Sequence, residues 1–348
     1  MNTIMIQADK LLDAAAGILK KIGIPEDQAR VIASVLVQAD LRGIGSHGVL
    51  RLPAYVHKVQ HGLLETDTQL TVIEERKATV LLDAGGGFGP VAAAEAMRQA
   101  IGKAKELGLG SAAVRNASHF GIAAYYARLA VEEGLIGVVI SNAAASMAPF
   151  GGVQPMLGTN PVCVGIPTGK EPAILLDMAS SVVARGKIRL AQREGKSIPE
   201  GWALDASGVP TQNPDEAIAG TLLPIGGPKG YGIALVNDIL SGILTGSPSS
   251  LEVRSVHDLK NPSPVGFFLQ AIDISAFCDP VLFYERVDAL SEQLRAADPA
   301  DGVSRIYTPG EPEWEREQER RENGIPIGPK VMESLLDLAG ELNVQINL

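Results

Sequence analysis

Residues Ala78–Arg98 read ATVLLDAGGGFGPVAAAEAMR: an apolar strand, a glycine-rich turn and an alanine-rich helix. Such a unit belongs to α/β architecture and invites a dinucleotide-fold reading. The spacing rejects that reading. A G-x-G-x-x-G run beginning at Gly85 would need glycine where Pro90 stands, and no acidic residue closes a following strand at the usual distance. A phosphate-cradling P-loop is absent too, because VGIPTGKE lacks the first glycine and the hydroxyl residue after its lysine. The unit predicts an α/β fold in which any nicotinamide cofactor is held in some other way.

Outward from this unit the pattern repeats. TVIEE (71–75) reads as a strand, as do GSAAVRNA (110–117), LIGVVISNAAA (135–145), VCVGIPT (162–168), AILLDMA (173–179) and GFFLQAIDISAF (266–277). Helices over about 122–133 and 280–295 lie between them, and an apolar helix begins near Tyr231. Residues 147–161 are too rich in Gly and Pro for regular structure, 185–197 form a basic connection, and 202–213 suggest a small hairpin. The chain ends are helical: 8–22 carries an apolar face, Pro25 opens a second helix that Gly43 stops, and a last helix covers about 328–342. We expect a mixed α/β protein with two lobes. Residues 1–72 and 300–348 form a helical one, residues 73–299 form the sheet-bearing one, and a ligand cleft lies between them.

The 348 residues carry 40 acidic and 30 basic side chains, for a net charge of -10. That balance argues against nucleic acid as a partner, and no basic run with interleaved aromatics appears. It leaves room for a local anion site. Two cysteines, Cys163 and Cys278, cannot make a disulfide framework, and no stretch resembles a signal peptide or a membrane span. The expectation is a cytoplasmic protein.

Chemistry concentrates in Ala39–Val56, ADLRGIGSHGVLRLPAYV. Ser46 occupies a helix N-cap slot, and a helix starting there would put His47 and Arg51 one turn apart on one face. Imidazole moves a proton near neutral pH, and guanidinium clamps a carboxylate through two parallel hydrogen bonds. A small 2-hydroxy or 2-oxo acid needs both. Pro53 must kink this helix or start a new one. His119 sits in a strand-to-helix loop, where functional residues gather. Lys229 lies among glycines that let a ligand approach the backbone, or is an ordinary turn lysine. Asp177 ends an apolar strand, where a carboxylate orients a histidine or caps a helix. His57 and His61 have metal spacing but no further ligands, so no metal site is expected, and His257 reads as a surface residue.

Together these segments resemble the malate/L-lactate dehydrogenase family, which also includes ureidoglycolate, sulfolactate and diketogulonate dehydrogenases and piperideine-2-carboxylate reductase. The matching pieces are ADLRGIGSHGVLRLPAYV, NASHFGIAAYYA, MAPFGG, GTNP, LLDMASS with ARGK, GPKGYG and AIDISAF, in order along nearly the whole chain. The resemblance implies a non-Rossmann NAD(P)-binding mixed sheet, a helical lobe from the termini, and a homodimer. It implies hydride transfer between NAD or NADP and C2 of a small 2-hydroxy acid, with a cyclic imino-acid reductase or ureidoglycolate dehydrogenase as alternatives. By position, His47 matches the proton donor, His119 an acid/base histidine, and Ser46 and Arg51 the neighbours of the substrate carboxylate. Asp177, Met178, Ala179, Lys229, Pro309, Gly310 and Glu311 match cofactor contacts, and Asn142 and Ala143 are expected among the cofactor-binding residues as well. Asn142, Ala143 and Ala144 depart from the ureidoglycolate branch, in which a serine replaces Ala143 against the cofactor.

Overall fold

The computed structural model describes residues 3–170 and 172–348. In chain order the elements are β1 (Ile4–Ile6), α1 (Ala8–Lys21), α2 (Glu26–Leu41), α3 (Leu52–Gln60), β2 (Thr71–Glu75), β3 (Thr79–Asp83), α4 (Gly89–Leu107), β4 (Leu109–Ala117), α5 (Ala123–Glu132), β5 (Ile136–Ser141), β6 (Val162–Ile166) and β7 (Ile174–Met178). They continue with α6 (Arg185–Glu194), β8 (Ala203–Leu204), β9 (Pro210–Thr211), α7 (Pro214–Ala219), β10 (Thr221–Leu222), α8 (Pro228–Asp238), β11 (Val265–Ile272), α9 (Pro280–Arg295), α10 (Glu311–Asn323), β12 (Ile325–Ile327) and α11 (Pro329–Glu341).

Seven strands form one mixed sheet in the order β2-β3-β4-β11-β5-β6-β7. Only β3 and β4 run parallel, joined by α4; the other pairs are antiparallel. That α4 crossover is the Ala78–Arg98 unit, so the expected mixed α/β class holds. Its buried alanines at 92, 93, 94, 96, 100 and 104 let α4 settle on β4 and β11, while α5 covers β5 and β6. The core between them is led by Phe120, Tyr126 and Phe267, whose rings stack.

A second apolar cluster joins both chain ends. α1, α2 and α3 bury Leu11, Ile18, Leu36 and Leu52 against Leu335 and Leu338 of α11. Strand β1 pairs with β12, Ile4 opposite Ile327 and Ile6 opposite Ile325, and fastens the termini together. Three-residue strands carry too little pattern to be foreseen. A third, small cluster around Met147, Ile188 and Leu222 holds α6, α7 and the β10-β8-β9 sheet. The buried carboxylate of Glu317 on α10 takes bonds from Gln38, Arg42, Arg128 and Arg321, tying α2 and α5 to the C-terminal segment. Among the described residues no helix is long and apolar enough to cross a membrane.

Candidate active site

The segment after α2 does not form the expected helix. It makes two 3-10 turns, Gly45–His47 and Val49–Arg51, and only then enters α3, with Pro53 in its first turn. Gly48 breaks the helix in advance: its backbone is extended, at φ -83° and ψ -155°. Asp40 explains why glycine stands there. Its buried carboxylate accepts the Val49 N–H at 2.8 Å, and a Cβ on Gly48 would lie 1.9 Å from Asp40 Oδ1. Ser46 is therefore not an N-cap. Its Oγ lies 2.9 Å from His47 Nδ1, and its carbonyl accepts Arg51 Nε at 2.7 Å. One serine thus orients both the imidazole and the guanidinium.

His119 arrives from the end of β4. The glycine-rich turn that fails as a nucleotide loop helps to place it. Gly89 at the start of α4 lies so close to the Ser118–His119 backbone that a Cβ would meet the Ser118 carbonyl at 2.1 Å. Gly89 N–H also donates to Ser118 Oγ at 3.0 Å. His119 Nδ1 faces the Gly121 N–H at 3.3 Å and Tyr55 Oη at 2.9 Å. A backbone N–H only donates, so Nδ1 is an acceptor and the neutral ring carries its proton on Nε2. The rings of His47 and His119 stack, with centroids 5.5 Å apart. Desolvation, then the Arg51 charge, lowers His47 to about 4. Desolvation, then His47 and Arg51, holds His119 well below the ordinary histidine range. Burial thus favours the neutral form of both rings.

Both rings open on a cavity of about 540 Å³, shared with Ser46, Arg51 and Tyr55. His257 belongs here as well. It is exposed, as a surface reading requires, yet its Nε2 lies 3.2 Å from Arg51 Nη1 and it borders the cavity. One wall is the uncharged strip Ala143–Ala145. Asn142 borders it too, but its amide is spent on the Pro248 carbonyl and the Gly266 N–H. Arg51, Lys58, Arg185, Arg189 and Arg254 line the cavity, and no described Asp or Glu does. In a chain of net charge -10 that is a concentrated anion site.

The remaining candidates lie along a second line. Asp177 accepts the Ala124 N–H at 2.9 Å, the capping alternative, at the start of α5. The residue keeps an exposed face, yet desolvation by the surrounding protein raises its carboxyl to about 6. Met178 pairs with Val162 at the end of β7; beyond Ala179, Ser180 N–H donates to the Thr159 carbonyl in the cavity wall. Ser180 also accepts the Ile225 N–H, just before the turn that exposes Lys229. At the other end of β7, Leu175 N–H donates to the Pro309 carbonyl, and Gly310 presses on Leu175. Glu311 is engaged internally, by Arg295, Arg305 and Thr308. So β7 and its continuation run from Gly310 to the cavity. His57 and His61 do not converge on a ligand: His61 Nδ1 bonds the His57 carbonyl at 2.7 Å.

Among the cavity residues that the sequence reading did not select are Tyr55, Lys58, Arg189, Arg254 and His257. The first two follow Arg51 at four and seven residues, one face of a helix, which was a usable signal.

Comparison with known proteins shows the family and the fold. The model of the malate/L-lactate dehydrogenase family matches residues 6–336. The malate dehydrogenase of Pyrococcus abyssi is 40% identical over 352 residues, covering 99% of this chain and 96% of that protein. The solved sulfolactate dehydrogenase of Methanocaldococcus jannaschii matches with a TM-score of 0.93 at 37% identity, covering 99% and 98% of the two chains. The malate dehydrogenase of Entamoeba histolytica matches at 0.95 with 32% identity, over 99% and 100%.

Proposed function

The chain belongs to the malate/L-lactate dehydrogenase family of NAD(P)-dependent oxidoreductases, and on that premise we propose that it oxidises and reduces a small 2-hydroxy/2-oxo acid at C2, with His47 as the proton carrier and Arg51 as the carboxylate clamp. The observation that carries this reading is the convergence of His47, His119 and Arg51 on one cavity.

In this reading His47 Nδ1–H donates to Ser46 Oγ, which leaves Nε2 with a lone pair for the substrate hydroxyl. His119, fixed with its proton on Nε2, donates to the same oxygen and steadies the charge that develops there. Arg51 is oriented through Nε, so its terminal nitrogens meet the carboxylate as a fork. In reduction the proton returns from His47 Nε2 to the oxygen.

The site fits a dinucleotide. Its volume exceeds what a small acid fills, the alanine strip admits a flat ring, and Arg185 and Arg189 offer charge for phosphates. Ala143–Ala145, Arg185 and Arg189 would hold NAD or NADP, and the line through Ala179, Met178, Asp177, Lys229 and Pro309–Glu311 would carry the remainder. The bound cofactor supplies the hydride acceptor or donor. The exposed apolar side chains Ile233, Val236, Ile243 and Leu244 support a homodimer, which sedimentation velocity tests.

An absorbance assay at 340 nm with both cofactors and a panel of 2-hydroxy acids is the direct test. Piperideine-2-carboxylate and ureidoglycolate belong in the panel. Turnover of the imino acid alone would overturn the 2-hydroxy-acid reading, and no turnover with any acid would overturn the catalytic one.

A further inference from the structure

We infer that Lys58 is a specificity-determining residue that receives a second anionic group on the substrate, so the preferred acids are dianionic. This rests on the proposed 2-hydroxy-acid activity. Lys58 lies on α3 and borders the cavity, yet it is only 3% exposed and its Nζ has no hydrogen-bond partner among the described residues. A buried ammonium without a partner is costly to keep. Asp258 attracts it, but that carboxylate is already bonded to Lys260 N–H, Asn261 N–H and Asn261 Nδ2, and it makes no ion pair with Lys58. Loss of water lowers the lysine pKa in the free protein, the behaviour of a cation that lacks its anion.

Position supplies the second half of the argument. Arg51 and Lys58 are seven residues apart, two turns along one face, so their backbones are separated by roughly 10 Å. Both side chains are long and border the same cavity. An acid of four or so backbone atoms, with a carboxylate at one end and a second carboxylate or a sulfonate at the other, offers one anionic group to each. A monocarboxylate satisfies Arg51 and leaves Lys58 unpaired.

The test compares the parent, Lys58→Met and Lys58→Arg on 2-hydroxybutanedioate and 2-hydroxypropanoate, with NAD and NADP affinities measured by fluorescence titration. Lys58→Met is expected to cut the dicarboxylate-to-monocarboxylate ratio of kcat/KM by roughly 10–100-fold, the worth of one hydrogen bond to a charged group. Lys58→Arg should restore most of it. Removing an unpaired buried charge should also raise the melting temperature of the free protein by about 2–4 °C. An unchanged ratio overturns the inference while the dehydrogenase reading stands. A weakened NAD or NADP affinity with the ratio intact assigns the lysine to a cofactor phosphate and overturns it too. A parent that turns over neither acid removes the functional reading itself, a distinct result.

Discussion

His47 and His119 stack with 5.5 Å between ring centroids and 24° between their planes, each bonded through Nδ1 to a neighbour of its own. Desolvation lowers both rings, and Arg51 adds to it. With His47 near 4, the free enzyme keeps its base neutral down to mildly acidic pH. The oxidation kcat/KM should therefore stay flat between about pH 5.5 and 8, without the limb near 6.5 of an ordinary histidine. A bound carboxylate neutralises Arg51, so the acid limb of kcat should lie at higher pH than that of kcat/KM. The linkage sign follows. A depressed imidazole favours the folded state fully above about 6.5 and loses that contribution as pH falls toward 4. Thermal melts over that window should show a shallower loss in His47→Gln than in the parent. Asp40 and Asp177, whose carboxyls are raised to about 7 and about 6, slope the other way, so parent and variant must be compared directly.

His47→Ala should lower turnover by about 10²–10⁴-fold with NAD(P) affinity retained, the usual worth of one acid/base group. His119→Ala should also fall, because the oxygen loses a positioned donor. Stopped-flow rates at 340 nm check both; a fully active His47→Ala would remove that ring from the mechanism.

Arg51→Lys replaces a fork by a point charge and forfeits the bonds to the Ser46 carbonyl and His257. The KM for the acid should rise roughly tenfold or more, since one charge-assisted bond is worth about 1.5–3 kcal/mol, with a smaller change in kcat. An unaltered KM would place the carboxylate elsewhere.

Much of this was legible from residues alone, for physical reasons. Periodicity exposed α4 and its flanking strands, and the chemistry of histidine and arginine marked His47, Arg51 and His119. The Ser46 helix cap was misread because local propensity overlooks Asp40, whose carboxylate reaches nine residues forward to claim the Val49 N–H. His257 is exposed, as expected, but its contact with Arg51 spans 206 positions and comes from a loop without periodicity, so no pattern in the sequence links the two. Lys58 was in register with Arg51, but a lysine on a helix is ordinarily solvated, and only the fold buries it.

Glu317 binds α10 to the end of α2, and through it to the His47 segment. Arg42, Arg128 and Arg321 all address its buried carboxylate, and Arg316 bonds the Arg42 carbonyl. Burial alone would raise this carboxyl, but Arg128, Gln38 and Arg321 outweigh it and hold it below the ordinary value. Glu317→Gln should cost about 3 kcal/mol in urea unfolding at pH 7, because three cations lose their anion. A depressed carboxyl contributes above about 4.5 and loses that contribution as pH falls below it, so the deficit should shrink toward pH 4. A deficit independent of pH would mean shape, not charge, is what the helix supplies.

Gly48→Ala tests the loop at its tightest point. The added methyl would fall 1.9 Å from Asp40 Oδ1, so either the carboxylate gives up the Val49 N–H or the turn bearing His47 shifts. Overpacking of this kind costs about 1–3 kcal/mol, and a displacement near 1 Å at a reacting group costs about 10²-fold in rate. We expect a modest fall in melting temperature and a large fall in kcat, with cofactor affinity little changed because the alanine wall and Arg189 lie on other segments. Asp40→Ala on the Gly48→Ala background removes the clashing carboxylate. Recovery of kcat in that double variant would show that the two residues act on His47 as one unit; further loss would show that the Asp40–Val49 bond is needed whatever occupies position 48.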